Sequence, residues 1–207
     1  MQQHGVGTIT FYEPETKEFA ALGHGILDVD TNKLINIGKG ELVTSKILSI
    51  TKGENGKPGE IKGSIENGTS IGEINKNTFF GIYGKINNSN ALNIDTSKIY
   101  EVANRNEIKT GEATILCSLD NSGPQEYKIN IDKIYYNNNS NNKSMLINVT
   151  DEKLIEKTGG IIQGMSGSPI IQNGKFIGAV THVLVNNSTE GYAVFGDMML
   201  KQMRTVE

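Results

Sequence analysis

The sequence has no tryptophan, one cysteine, four prolines, three histidines and no long apolar run, and each scarcity removes a class of function. With Cys117 alone there is no intramolecular disulfide and no cysteine-built metal site. No stretch approaches the roughly 20 apolar residues that a membrane-crossing helix needs, and the first residues do not have the form of a signal peptide. The chain therefore reads as cytosolic or as an excised domain. The net charge is −3 and the lysines are scattered, so no basic stripe for nucleic acid and no run for a membrane or phosphate surface is present. What remains is a globular composition, 36% apolar and 21% charged over 207 residues. At that length folding buries roughly 70% of the chain's surface, and a core needs no metal or disulfide to close it.

Glycine, at 24 residues, punctuates a series of short apolar or alternating runs. These predict strands at 7–12, 18–22, 33–37, 41–50, 59–65, 78–86, 113–119, 126–134, 145–149, 168–172 and 176–185. Many short strands with turns between them point to a sandwich or barrel, not to βαβ units. Tyr12–Lys17 and Gln172–Lys175 read as hairpin turns, the second carrying the Asn-Gly pair of a two-residue loop. Two helices are expected. One spans 150–157, capped by Thr150 or Asp151 and ended by Gly159-Gly160; the other spans 195–203, with apolar residues on one face. The low-complexity loop Asn137–Asn142 divides the chain into about 1–136 and about 143–207.

The chemistry concentrates at Gly164-Met165-Ser166-Gly167-Ser168-Pro169. A serine attacks a carbonyl only if its hydroxyl stands clear and nearby N–H groups can hold the oxyanion that forms. Glycines two before and one after Ser166 allow that turn, and Pro169-Ile170-Ile171 anchors it to a strand. The motif resembles the nucleophile loop of trypsin-like peptidases, with Ser168 where a second glycine usually stands. Ser168, followed by proline, is the rival nucleophile, although proline favours extended backbone there. The N–H groups of Gly164 and Ser166 are the candidate oxyanion hole.

The serine needs a base, and imidazole suits neutral pH. His24 ends an apolar run and opens into glycine, a strand end able to present a ring. His4 sits in the terminal segment. Thr181 and His182, on the strand after the nucleophile, are candidates for substrate contact. A carboxylate should orient the base; Asp28, Asp30, Asp95, Asp120, Asp132 and Asp151 are open, with turn chemistry explaining Asp28 and Asp30 and helix capping explaining Asp151.

A broader resemblance narrows these choices. Gly5–Thr16, Ala21-Leu22-Gly23-His24-Gly25-Ile26, Val149-Thr150-Asp151, Thr158–Ile170 and Asn173–Val183 together resemble the stage IV sporulation protein B peptidases, signalling serine peptidases of endospore-forming bacteria. The resemblance implies His24, Asp151 and Ser166 as a triad, no metal or cofactor, and an all-β, trypsin-like double barrel with a short C-terminal helix. It further implies a peptide or protein substrate, self-cleavage, and clipping of a membrane-complex regulator upstream of sigma-factor processing. A PDZ domain and a membrane or signal segment usually precede the peptidase in this family, which acts outside the cell membrane, between mother cell and forespore. Neither segment is seen here, so the chain reads as the peptidase domain. Three rivals stand beside this reading: an idle β-barrel binding module, an esterase with a strand–helix elbow, and Cys117 as nucleophile, which its strand setting makes inert.

Overall fold

A computed structural model describes residues 5–92, 94, 95 and 97–205; His4 lies outside them. Five strands form the N-terminal unit: β1 (Ile9–Glu13), β2 (Glu18–Ala21), β3 (Gly40–Thr51), β4 (Glu60–Thr78) and β5 (Gly81–Ile86). They lie in the order β1-β2-β5-β4-β3, every neighbouring pair antiparallel, and curl into a half-barrel. The C-terminal unit contains β6 (Glu101–Val102), β7 (Gly111–Cys117), β8 (Gln125–Ile134), β9 (Met145–Val149), β10 (Pro169–Gln172), β11 (Lys175–Leu184) and β12 (Asn187–Phe195). Its order β10-β7-β8-β9-β12-β11 closes through β10–β11 pairing into a six-stranded barrel, with β6 added parallel to β11. Closure leaves those six strands without a free edge. Two helices complete the chain, α1 (Glu152–Thr158) and α2 (Gly196–Arg204). The expected all-β double barrel with a C-terminal helix is present, its first barrel open.

The division between the two units differs from the expected one near residue 136. It falls between β5 and β6, and β7 and β8 belong to the C-terminal barrel. The reason is core burial. Ala113, Ile115 and Cys117 on β7, and Tyr127, Ile129 and Ile131 on β8, alternate inward and pack with Ile147 and Val149 of β9. The Asn-rich stretch is thus the loop of the β8–β9 hairpin. Segment 33–37 is no strand and contributes only the bridge Leu27–Leu34. β4 runs on to Thr78 where alternation and glycines suggested a stop at 65. Gly72 and Gly84 sit in this β4–β5 pairing, and a Cβ on Gly84 would lie 1.8 Å from the Glu73 carbonyl oxygen. These glycines mark close backbone approach inside a sheet, and the same residue type elsewhere marks a turn. β12, polar over its first half, was not predicted.

Local predictions fared better. Asn173 and Gly174 take φ of 51° and 76°, a two-residue turn joining the Gln172–Lys175 pair of β10 and β11. Asp151 caps α1, and Gly159 ends it in the left-handed region at φ 72°. α2 packs against β2 and β11, and Lys76 of β4 donates to the carbonyls of Gln202 and Thr205 near its C-terminus. One apolar cluster joins both units, including Ala20, Ile61 and Tyr83 from the first and Ile115, Val180 and Phe195 from the second.

Gly159 tests the junction between them. A Cβ there would stand 2.1 Å from the carbonyl oxygen of Gly53, in a backbone conformation that side chains avoid. Gly159→Ala, made in an inactive Ser166→Ala background to prevent self-cleavage, should lower stability by about 1–3 kcal/mol. Urea midpoints at unchanged slope provide the measurement.

Candidate active site

Residues 159–168 connect α1 to β10, and both barrels hold this loop. The Thr8 N–H donates to the Ser166 carbonyl at 3.1 Å, and Thr8 Oγ1 donates to the Gly164 carbonyl at 2.9 Å. From the other side, Gly167 N–H donates to the Val180 carbonyl at 2.8 Å. Gly164 and Gly167 take φ of 100° and 93°. At Gly167 glycine is also required by space, because a Cβ would lie 2.3 Å from the Thr8 oxygen and 2.6 Å from the Leu22 nitrogen.

This packing leaves Ser166 half-buried, its Oγ donating to the Thr181 carbonyl at 3.0 Å. Ser168 is 0% exposed and its Oγ has no partner, so a peptide cannot reach it as the loop stands. The N–H groups of Met165, Gly167 and Ser168 are committed to backbone carbonyls, whereas those of Gly164 and Ser166 have no acceptor among the described residues.

His24 follows two successive left-handed residues, Leu22 and Gly23, both at φ 70°. Leu22 is the costly one, since a branched side chain avoids this region. Its amide is held by the Thr8 carbonyl at 3.2 Å, and Gly23 packs where a Cβ would meet Thr181 Cγ2 at 3.0 Å. The chain beyond His24 is pinned by Asn77. Its Oδ1 accepts from Ile26 N–H at 2.9 Å, and its Nδ2 donates to the Ile26 and Ile35 carbonyls at 2.8 and 3.0 Å. Thr8 and Asn77 were missed from sequence, because a lone Thr or Asn in a strand gives no local sign of its distant partner.

The His24 Nδ1 lies 3.0 Å from the Gly25 carbonyl oxygen. A carbonyl can only accept, so Nδ1 is the donor here, and in the neutral ring Nε2 is then the nitrogen without a proton. The ring of His182 lies beside it, centroids 5.1 Å apart and planes inclined by 34°. His182 is exposed on β11, and its pKa is pushed down to about 4, first by desolvation of the ring beside His24 and then by His24 and Lys143. Thr181 is buried, and its Oγ1 lies 3.2 Å from the Asn142 carbonyl and 3.1 Å from that of Tyr192. Ser166, Thr181, His182 and His24 therefore form one connected group.

Asp151 is placed elsewhere. Its Oδ1 accepts from the N–H groups of Lys153 and Leu154 at 3.0 and 3.2 Å, and its Oδ2 from that of Lys128 at 3.1 Å. Partial burial raises its pKa, but these three bonds together outweigh burial and hold it below the usual carboxylate value. Across β12, His182 is level with Leu146 of β9, and Asp151 lies a further five residues on (151 − 146), roughly 16 Å of extended chain. Asp28 accepts from Thr31, Asp95 from Ser97, Asp120 from Ser122 and Asp132 from Asn130, all within their own turns or strands. Among the described residues no carboxylate, Asp30 included, has a contact with His24. Cys117 is buried, its thiol pushed up to about 12 mainly by desolvation, so it is no nucleophile.

The family model of the SpoIVB peptidase S55 matches residues 1–200. The chain belongs to this family. Solved structures with similarity include an inactive form of Rv3671c from M. tuberculosis H37Rv, a serine-to-alanine mutant. It is 13% identical at TM-score 0.46, covering 82% of this chain and 87% of that one. The active form of the Rv3671c protease is 13% identical at TM-score 0.44, over 100% and 94%. The HtrA-type protease AlgW, solved with a tripeptide, is 13% identical at TM-score 0.42, over 77% and 58%. No curated protein sequence matches the S55 chain.

The lowered pKa of His182 predicts a pH effect on stability, a small one because the residue is exposed and solvent screens it. Its folded pKa, about 4, lies below the ordinary 6.5. Between these values the unfolded chain binds more protons, so stability is complete above about 6.5 and declines as pH falls toward 4. The lowered Asp28, Asp95, Asp120 and Asp151 act below that window, and Glu107, lowered from 4.5 by Lys175, acts at its lower edge with or without His182. In the Ser166→Ala background, the melting temperature should fall from pH 7 to 4.5, and His182→Gln should make that slope shallower. Equal slopes would show that His182 is not held neutral by the fold.

Proposed function

We propose that the chain is a serine endopeptidase with Ser166 as nucleophile and His24 as general base. The observation that carries this reading is the convergence just described: the Thr181–His182 pair touches the Ser166 hydroxyl with one residue and the His24 ring with the other. In the resting state the Ser166 proton points to the Thr181 carbonyl. Rotation of the serine side chain turns the hydroxyl toward Nε2 of His24, and Oγ attacks the scissile carbonyl as the imidazole takes the proton. The N–H groups of Gly164 and Ser166 receive the oxyanion. The imidazolium then protonates the leaving amine, and water hydrolyses the acyl-enzyme by the same steps in reverse roles. Thr181 and His182 line the approach for the peptide.

Family membership supports a regulatory use of this chemistry: self-cleavage and clipping of a membrane-complex protein in sporulation signalling, outside the cell membrane, with a PDZ domain in the full-length protein. An idle barrel that only binds peptides is the rival. A fluorophosphonate probe separates the two, because only an activated serine reacts quickly. The wild-type protein should label, Ser166→Ala should not, and Ser168→Ala should retain labelling within a fewfold. Labelling lost with Ser168→Ala and kept with Ser166→Ala would reverse the nucleophile assignment.

The family resemblance puts Asp151 in a triad, but its three backbone bonds support a different role, which we adopt. As cap of α1 it anchors the helix that leads into the nucleophile loop, while the Gly25 carbonyl fixes the His24 tautomer. Asp151→Asn would turn one acceptor into an amide donor facing the Lys128 N–H, so it should cost about 0.5–2 kcal/mol of stability. Turnover per titrated site should change only a fewfold. A loss of up to roughly 10⁴-fold in turnover at unchanged melting temperature would instead make Asp151 the orienting carboxylate.

A further inference from the structure

The Asn-rich loop, which carries no motif of its own, is built as a support. Asn138 Nδ2 donates to Asn141 Oδ1 at 2.6 Å and to the Lys143 carbonyl at 2.9 Å, while its Oδ1 accepts from the N–H groups of Ser140 and Asn141. Asn141 Oδ1 accepts from Lys143 N–H at 2.9 Å, and Asn139 Oδ1 from Arg105 at 2.6 Å. Asn142 joins both walls of the cleft: its Nδ2 donates to the Phe79 carbonyl in the β4–β5 turn, and its own carbonyl meets Thr181 Oγ1. Asparagine suits such a loop because its side chain can replace backbone partners on either side.

Lys143 is the residue this support presents. It is exposed, and its ammonium stands 5.0 Å above the ring of Tyr192. Tyr192 pairs across the sheet with His182, whose ring lies against His24. A line of Lys143, Tyr192, His182 and His24 thus leads to the reactive group. Lys143 also acts on His182, whose pKa its charge helps to lower. Glu190 is the acid on β12, two residues from Tyr192, or about 7 Å along the strand. Among the described residues Lys143 has no carboxylate partner. A cation held over an aromatic ring at the margin of a cleft, without a carboxylate partner among the described residues, suits a counter-charge supplied by the ligand.

We propose that the cleft selects peptides with an aspartate or glutamate side chain flanking the scissile bond, and that Lys143 is the group that reads it. The proposal rests on the peptidase reading for the word scissile, but peptide binding can be measured without catalysis.

The test uses one neutral peptide in which each of three positions on either side of the cleaved bond is changed in turn to Glu, Gln or Lys. Binding is followed by fluorescence anisotropy on the full chain carrying Ser166→Ala, and kcat/KM on the active protein. At one position Glu should exceed Gln by roughly three- to tenfold, less so at high salt. Lys143→Glu should remove or reverse that preference, and Lys143→Arg should keep it. No preference for Glu at any position, or a preference that survives Lys143→Glu, overturns the proposal. If Ser166 fails to label with fluorophosphonate and Glu peptides still bind through Lys143, the peptidase reading falls and the acid-selective cleft stands.

Discussion

The contact on which the site depends is the grip of Thr8 on the nucleophile loop. Its amide and hydroxyl take the carbonyls of Ser166 and Gly164, and its own carbonyl holds Leu22, two residues before His24. One residue thereby ties the loop that carries Ser166 to the segment that carries His24. The two groups belong to different sheets, 142 residues apart in sequence (166 − 24). Left alone, a serine and a histidine so far apart would lose proximity to chain entropy; packing removes that cost before substrate arrives. Gly167 is the spatial condition for the grip, since any side chain there would push Thr8 and Leu22 away.

Backbone strain collects around this junction. Leu22 and Gly23 are both left-handed, and the glycines of the nucleophile loop take positive φ. A closed six-stranded barrel on one side and the Asn77 clamp on the other keep these conformations in place. The electrostatics follow the same economy. His24 is oriented through a neighbouring carbonyl, which fixes the tautomer without adding a negative charge to stabilise the imidazolium. The pKa of His182 is lowered by desolvation first and then by His24 and Lys143. The cleft therefore carries the positive charge of Lys143 at its margin, a setting that favours acidic peptides.

Much of this was legible from local signals. The short β-runs, the Asn-Gly turn, both helices and the loop around Ser166 could be read because each depends on residues close in sequence: hydrophobic alternation, a capping side chain, a glycine at positive φ. Errors arose where one residue type serves two ends. Glycine within β4 and β5 permits close strand approach, yet it reads as a break. Asn137–Asn142 reads as a divider of domains, yet it is a hairpin loop that reaches across to Phe79. β12 was missed because its first half is polar, its burial decided by neighbours on either side.

The sequence alone determined that the protein is a β-rich member of the SpoIVB peptidase family, and it singled out Ser166 and His24 as candidates for the chemistry, since those are properties of composition and short motifs. Only the tertiary structure decided which strands share a barrel and that Ser168 is sealed from solvent. It also decided that Asp151 spends its carboxylate on three backbone donors, and that Lys143 stands beside the cleft. Each of these depends on a partner far away in the chain, and the direction of a hydrogen bond between distant segments is set by how the sheets close, which no local pattern encodes.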